Sequence, residues 1–380
     1  MINTTTVFAC GDVFISKNSI FWDETLENKI NESDIAICNF EAPIVTNEAK
    51  LIKAGPNLQQ PKFSINLLKQ LGFTHFNLAN NHIMDYGKKA LFKTINELKK
   101  HKINFFGAGM SYQEASKLNI TEVNNLKIGI IGIAESDFDI PKENDDATYF
   151  KINDVNLKSL IKNYKEKVDF LIACTHAGIE NIDLPIPIWR DQYKEIIDCG
   201  VDIIIGSHPH VPQGYEKYKH GIIFYSLGNF MFQWGTHNTN NLNSYSIKLN
   251  LTKGQKIKFE IIEHTRIENK LKIKHNSCNI NQLNKLINNN YKKNIDKEIN
   301  YLYSNLYKHY LNYTILGFNF KQSIFKIIKR IISQLLFKRK NSILTNTLQY
   351  SLFNNESNRY VIRKALENKI NKINYKNEYK

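Results

Sequence analysis

The chain has 380 residues, which at roughly 150 residues per domain leaves room for one large domain and a smaller companion. Apolar residues make up 42% and charged residues 23%, which excludes a disordered, collagen-like or disulfide-stapled chain. With 51 lysines and arginines against 36 aspartates and glutamates, the formal charge of +15 points to an anionic surface or substrate without choosing between them.

The opening MINTTTVFACGDVF carries no basic n-region and no long apolar stretch, so no signal peptide is visible. The expected location is cytoplasmic, at most peripheral at the inner face of the membrane. Cys10, Cys38, Cys174, Cys199 and Cys278 are widely spaced and sit mostly inside apolar runs, as reduced, buried thiols do. Short β-branched runs read as strands: TTTVFAC, DIAICNF, FTHFNLA, KIGIIGIA, DFLIACT, VDIIIG and GIIFYSLG. Between them, residues 87 to 103 put Ala90, Leu91, Ile95 and Leu98 on one stripe, and IPIWRDQYKEIIDCG does the same with Ile188, Tyr193, Ile196 and Ile197 before a glycine stop. This alternation predicts an α/β fold of βαβ units around a largely buried sheet. From about residue 245, SYSIKLNLT, KIKFEIIEH and KLKIKH alternate with period two and predict an antiparallel extension.

The organisation expected is a main domain over 1–275 and a basic, mainly helical region over 276–380, where strand signals vanish. No acidic residue occurs between Glu298 and Glu356, and inside that gap residues 322–340 set Ile324, Ile328, Ile331, Ile332 and Leu335 opposite Lys326, Lys329 and Arg330. That is a basic amphipathic helix. Its apolar face has three open uses: packing on the main domain, peripheral contact with an anionic membrane, or contact with a partner such as a synthase or a nucleic acid. Tyr301, Tyr303, Tyr307, Tyr310 and Tyr313 read as helix packing rather than stacking platforms, so no specific nucleic-acid partner is expected.

In open α/β sheets the ligand site lies beyond the carboxyl ends of the strands. Here those ends are followed by Asp12, by Glu41, by Asn80, Asn81 and His82 with Asp85 close behind, by His176, by Ser207, His208 and His210, and by Asn229. If the strands share a sheet, carboxylates, amides and imidazoles converge on one edge. Such an oxygen and nitrogen set, without cysteine, suits one or two divalent ions such as Mn, Fe or Zn rather than a structural zinc site. Each residue alone has a plain explanation as a turn, cap or hydrogen-bonding group, and it is the recurrence at six strand ends that points to metal. Gly107-Ala108-Gly109 lacks the third glycine of a dinucleotide fingerprint and reads as a turn near the site.

The strings NFEAP, LANNHIMDYG, FFGAG, THAGIEN, GSHPHVPQGYE and YSLGNF, in this order, resemble the bacterial capsule-synthesis CapA family, named for poly-γ-glutamate capsule formation and similar in fold to calcineurin-like metallophosphoesterases. The resemblance runs roughly over residues 5 to 235. It implies a four-layer α/β/β/α sandwich with a dinuclear metal centre. It further implies Asp12 and His210 as ligands of a first metal, Glu41 in the bridging place, and Asn81, His176 and His208 as ligands of a second. His82 would be general acid or transition-state stabiliser, oriented by Asp85, with Glu180 and Asn229 lining the substrate site. Asp12-Val13-Phe14 lacks the superfamily's D-x-H histidine, as the family generally does, and Ala177 stands where H-W-G is usual. The function implied is a metal-dependent hydrolase acting on a phosphate ester or an anionic polymer in capsule biosynthesis. The alternatives are a non-catalytic, metal-stabilised synthase subunit and a phosphatase or nuclease of another pathway.

Overall fold

The computed structural model describes residues 4–136, 146–233, 242–316 and 343–378. The basic stretch 322–340 lies outside them. The chain forms two compact units, Met1–Leu51 with Asn57–Asn289, and Ile52–Pro56 with Asn290–Lys380. The helix Ile280–Asn288, placed by the sequence reading in the helical region, lies in the first unit.

Two sheets dominate the first unit. One has nine strands, with Thr4–Phe14 central and Ile35–Phe40, His75–Asn77 and Asn104–Phe106 running parallel on one side of it. On its other side Asn243–Thr252, Lys258–Ile267 and Lys270–Ile273 follow in antiparallel order, as their period-two pattern predicts. The second sheet has six strands, in which Leu126–Ala134, Phe170–His176, Ile203–Ser207 and Gly221–Phe224 are parallel. The strand ends collected above therefore do not share one sheet. Periodicity marks a strand and its buried face, but it carries no label for the sheet the strand joins.

Alternate side chains show how the layers stack. Val7, Ala9, Ile35 and Ile37 from the first sheet meet Ile128, Ile130, Ile172, Ile203 and Ile205 from the second in one buried cluster. Phe8, Cys10, Ala36, Cys38 and Phe40, one residue out of phase, pack instead with Leu26 and Ile30 of the helix Glu24–Asn31, Ile65 and Leu68 of Phe63–Gln70, and Leu91, Ile95 and Leu98 of Gly87–Lys100. Leu157–Lys165 and Pro187–Asp198 cover the outer face of the six-stranded sheet, giving four layers, α/β/β/α. Pro187 opens the latter helix at its first turn, where a missing N–H costs nothing, and Gly200 at φ +120° follows its end. Its buried stripe is Trp189, Tyr193, Ile196 and Ile197, so Trp189 takes the place the sequence reading gave to Ile188. The cysteines are free, and four of the five are buried.

Apart from the short segment Ile52–Pro56, the described residues of the second unit form helices: Tyr291–Leu302, a π-helical turn Tyr303–Tyr307, Lys308–Leu316, Ile343–Asn354 and Glu356–Glu378. Ile295, Ile299, Tyr303 and Tyr307 are buried in it, as are Leu352, Val361 and Ala365. The Tyr307 hydroxyl donates to Asn358 Oδ1 at 2.7 Å. Tyr303 and Tyr307 are thus packing residues, whereas Tyr301 and Tyr310 are exposed. Among the described residues, no helix is long and apolar enough to cross a membrane.

Candidate metal centre

Strict alternation along the first strand would send Asp12 to the helical face with Phe8 and Cys10. A bulge prevents this: between Ala9 and Asp12 the strand slips one residue against its partner, where Ile37 is followed by Asn39. Beyond the slip Val13 and Ile15 join the helical face, and Asp12 turns into the space between the sheets. Gly11 sits in the slip, and a Cβ there would strike the Gly228 carbonyl oxygen, which accepts from the Asp12 N–H at 3.1 Å. Asp12 Oδ1 accepts from Asn39 Nδ2 at 2.8 Å, and Oδ2 accepts from the His208 backbone N–H at 3.1 Å.

Around Asp12 the donors fall into two groups. Asp12, Glu41 and His210 offer ligand atoms that all lie within 4.8 Å of one another. His210 Nδ1 is 3.3 Å from Asp12 Oδ2, and His210 Nε2 is 3.7 Å from Glu41 Oε1. In the second group His176 Nε2 lies 3.0 Å from Asn81 Oδ1 and 3.1 Å from His208 Nδ1. Glu41 Oε1 stands between the groups, 3.9 Å from His176 Nε2. That oxygen is buried and has no hydrogen-bond partner. An orphaned carboxylate oxygen ringed by imidazoles fits a divalent cation, and the mixed oxygen and nitrogen donors fit Mn, Fe or Zn.

The electrostatics agree with that fit. Burial alone would raise the Asp12 carboxyl, but contact with His210 and the charge on that ring outweigh it and hold Asp12 well below the usual carboxylate range. Glu41 goes the other way, pushed well above its ordinary value by burial and then by Asp12. Burial keeps His176 well below its ordinary value and brings His208 down to about 4, so both present neutral rings. Burial also opposes a proton on His210, yet the carboxylates of Glu41 and Asp12 prevail and push it up to about 10. A proton on His210 and a bound cation would answer the same two carboxylates. The backbone is strained here as well, with His208 at φ +96°, His210 at φ +59° and Ala42 at φ +144°.

The remaining predicted residues border this centre. His82 follows Asn81, and its charge acts on His176 and His208. Its Nδ1 lies 2.7 Å from Asp85 Oδ2, which also accepts from the Leu58 N–H at 2.7 Å. Glu180 is exposed and acts electrostatically on Glu41, His208 and His210. Its loop is tied to the histidine loop by Asn181 N–H donating to the Pro209 carbonyl at 2.9 Å. Asn229 pairs in register with Asp12, is buried, and accepts from His210 Nδ1 at 2.9 Å, a contact that orients that ring.

Three polar residues escaped the sequence reading. Asn39 and Asn77 sit inside runs read as strand body, and Glu135 follows KIGIIGIA, a strand end whose polar successor went unremarked. Glu135 Oε2 accepts from the Gly178 N–H at 3.2 Å, and its own N–H donates to the His176 carbonyl at 3.0 Å.

The chain is 35% identical over 214 residues to the capsule biosynthesis protein CapA of Bacillus anthracis, covering 54% of this chain and 52% of that one. It is 32% identical over 240 residues to the PGA biosynthesis protein CapA of Bacillus subtilis, covering 62% and 63%. It thus spans between half and two thirds of the length of these relatives. The solved structure of a 5′-nucleotidase from Candida albicans is similar at a TM-score of 0.42 and 12% identity, over 69% of this chain and 52% of that one. The family model for the bacterial capsule synthesis protein PGA_cap matches residues 6–234, more than half the chain and every residue of both donor groups, so this protein belongs to that family.

Proposed function

We propose that this protein is a metal-dependent hydrolase of capsule or poly-γ-glutamate biosynthesis, cleaving a phosphate ester or a γ-glutamyl amide in an anionic substrate. The observation that carries the reading is the pair of donor groups sharing Glu41, with the His82–Asp85 pair beside them. The names of the Bacillus relatives supply the pathway, and the charge of +15 suits an anionic substrate.

Asp12, Glu41 and His210 would hold one ion, and Asn81, His176 and His208 a second, with Glu41 reaching both. Ions bound there supply Lewis acidity and a nucleophile at neutral pH. The Asp85 carboxylate accepts from His82 Nδ1–H, which fixes the ring and leaves Nε2 to pass a proton to the departing group. Glu180, exposed beside the centre, meets the substrate. Asn229 holds His210 at the angle its ligand role needs.

The test is purified His82→Ala protein, assayed for metal content and for turnover of phosphate esters and γ-glutamyl amides. Metal retained with turnover lost is the expected result. Turnover or polymer production equal to wild type in that variant would overturn catalysis and leave a metal-stabilised accessory subunit.

A further inference from the structure

The two asparagines missed in the sequence form a chain of oriented amides that ends on the candidate ligands. The Asn77 end is fixed first. Its Oδ1 accepts from the Ala79 N–H at 3.1 Å, so its Nδ2 must turn the other way, where it donates to Asn39 Oδ1 at 3.0 Å. That in turn settles Asn39, whose Nδ2 points at Asp12 Oδ1 at 2.8 Å and Glu41 Oε2 at 3.4 Å. Both asparagines are buried, at 4% and 1% exposure, so no bulk water replaces these donors. Two glycines make room for the chain: a Cβ on Gly132 would strike Asn77 Oδ1, and one on Gly107 would lie 2.9 Å from the same atom.

Asp12 and Glu41 repel each other, and a buried carboxylate pair needs either a shared proton or facing donors. Asn39 offers a donor to each. His176 Nδ1, also 3.1 Å from Asn39 Nδ2, has its own acceptor in Ser207 Oγ at 3.2 Å, whose hydroxyl donates to the Thr175 carbonyl at 2.9 Å. With Nδ1 protonated toward Ser207, both Asn39 hydrogens remain for the carboxylates, and His176 Nε2 keeps its lone pair for a cation.

We infer that Asn39, oriented by Asn77, is the positioning residue that holds Asp12 and Glu41 side by side as an ion-accepting pair. The inference rests on the metal reading of the centre, and its test separates the two. Full-length wild type, Asn39→Leu and Asn77→Ala are titrated with Mn²⁺ by calorimetry and with Co²⁺ by visible absorption, each below the unfolding midpoint measured in chelator. Asn39→Leu should lose about 10- to 100-fold in Mn²⁺ affinity with a changed Co²⁺ spectrum. Asn77→Ala, which leaves Asn39 in place but unoriented, should lose less in the same direction and decides the matter should Asn39→Leu fail to fold. Wild-type affinity and spectrum in the folded variants would overturn the role of Asn39, because a merely structural residue moves the midpoint alone. A wild type that takes up neither ion would overturn the metal reading itself.

Discussion

His264 and His75 are as deeply buried as His176 and His208, at 0% and 1% exposure against 1% and 6%, yet the two pairs live differently. His264 has Ser244 Oγ on Nδ1 at 2.8 Å and Ser246 Oγ on Nε2 at 2.9 Å. His75 has Thr74 Oγ1 at 2.8 Å and Thr121 Oγ1 at 2.9 Å. Each ring nitrogen there faces a hydroxyl that can give or take, so the side chain is complete without a ligand. At the centre His176 and His208 face each other across 3.1 Å beside Asp12 and Glu41, and Glu41 Oε1 is buried with no hydrogen-bond partner. Burial alone does not separate the two pairs; the unmet carboxylate oxygen beside the second does.

The comparison can be broken most sharply at the reacting end. His82→Ala should cost about 10²- to 10⁴-fold in turnover with ion content unchanged, read by rate assay beside elemental analysis. Next comes a contrast in stability. His264→Ala leaves a cavity and two serine hydroxyls short of a partner and should cost about 2–4 kcal/mol in urea unfolding while ion uptake stays at wild-type level. His208→Ala/His210→Ala should do the reverse, losing the ions while costing less stability in chelator than His264→Ala. A large stability loss in that double variant would make its histidines structural like the others. Mn²⁺ at about 100 times its dissociation constant should stabilise wild type and His264→Ala by about 2.7 kcal/mol and the double variant not at all.

The last contrast is in pH. Burial holds the folded-state values of His75 at about 4 and His264 at about 3, below the ordinary 6.5. A depressed value means that protons bind the unfolded chain first, so the contribution is complete above pH 6.5 and is lost as pH falls toward 4 and 3. In the His208→Ala/His210→Ala background with chelator, each should remove roughly 1–3 kcal/mol over that window. Urea midpoints that stay level from pH 7 to pH 4.5 would contradict it.

The sequence carried the strands and most of the centre, because β-branched runs and the polar residues after them are local signals. It did not carry the division into two sheets, which depends on pairing partners far apart in the chain. The direction of Asp12 was hidden too, since a bulge reverses the alternation and Gly11 alone does not announce one. Asn39 and Asn77 were read as strand body because their partners, Asp12, Glu41 and each other, meet only in the fold. The helices Glu24–Asn31, Phe63–Gln70 and Leu157–Lys165 are eight or nine residues long, too short for their period to stand out.

The register of the first strand has a consequence for synthesis. Asp12 is paired on one side with Asn39 and on the other with Asn229, while Thr4 to Ala9 pair with the strand ending at Thr252. At about 5–20 residues per second, tens of seconds separate the appearance of Asp12 from that of its last neighbours. Until then Asp12 has at most its Asn39 side in place, and neither the Asn229 strand nor the strand ending at Thr252 stands beside it. On the proposed metal reading, loading with ions would wait for those neighbours, and a ribosome-bound fragment ending before residue 229 is expected to leave Mn²⁺ in solution.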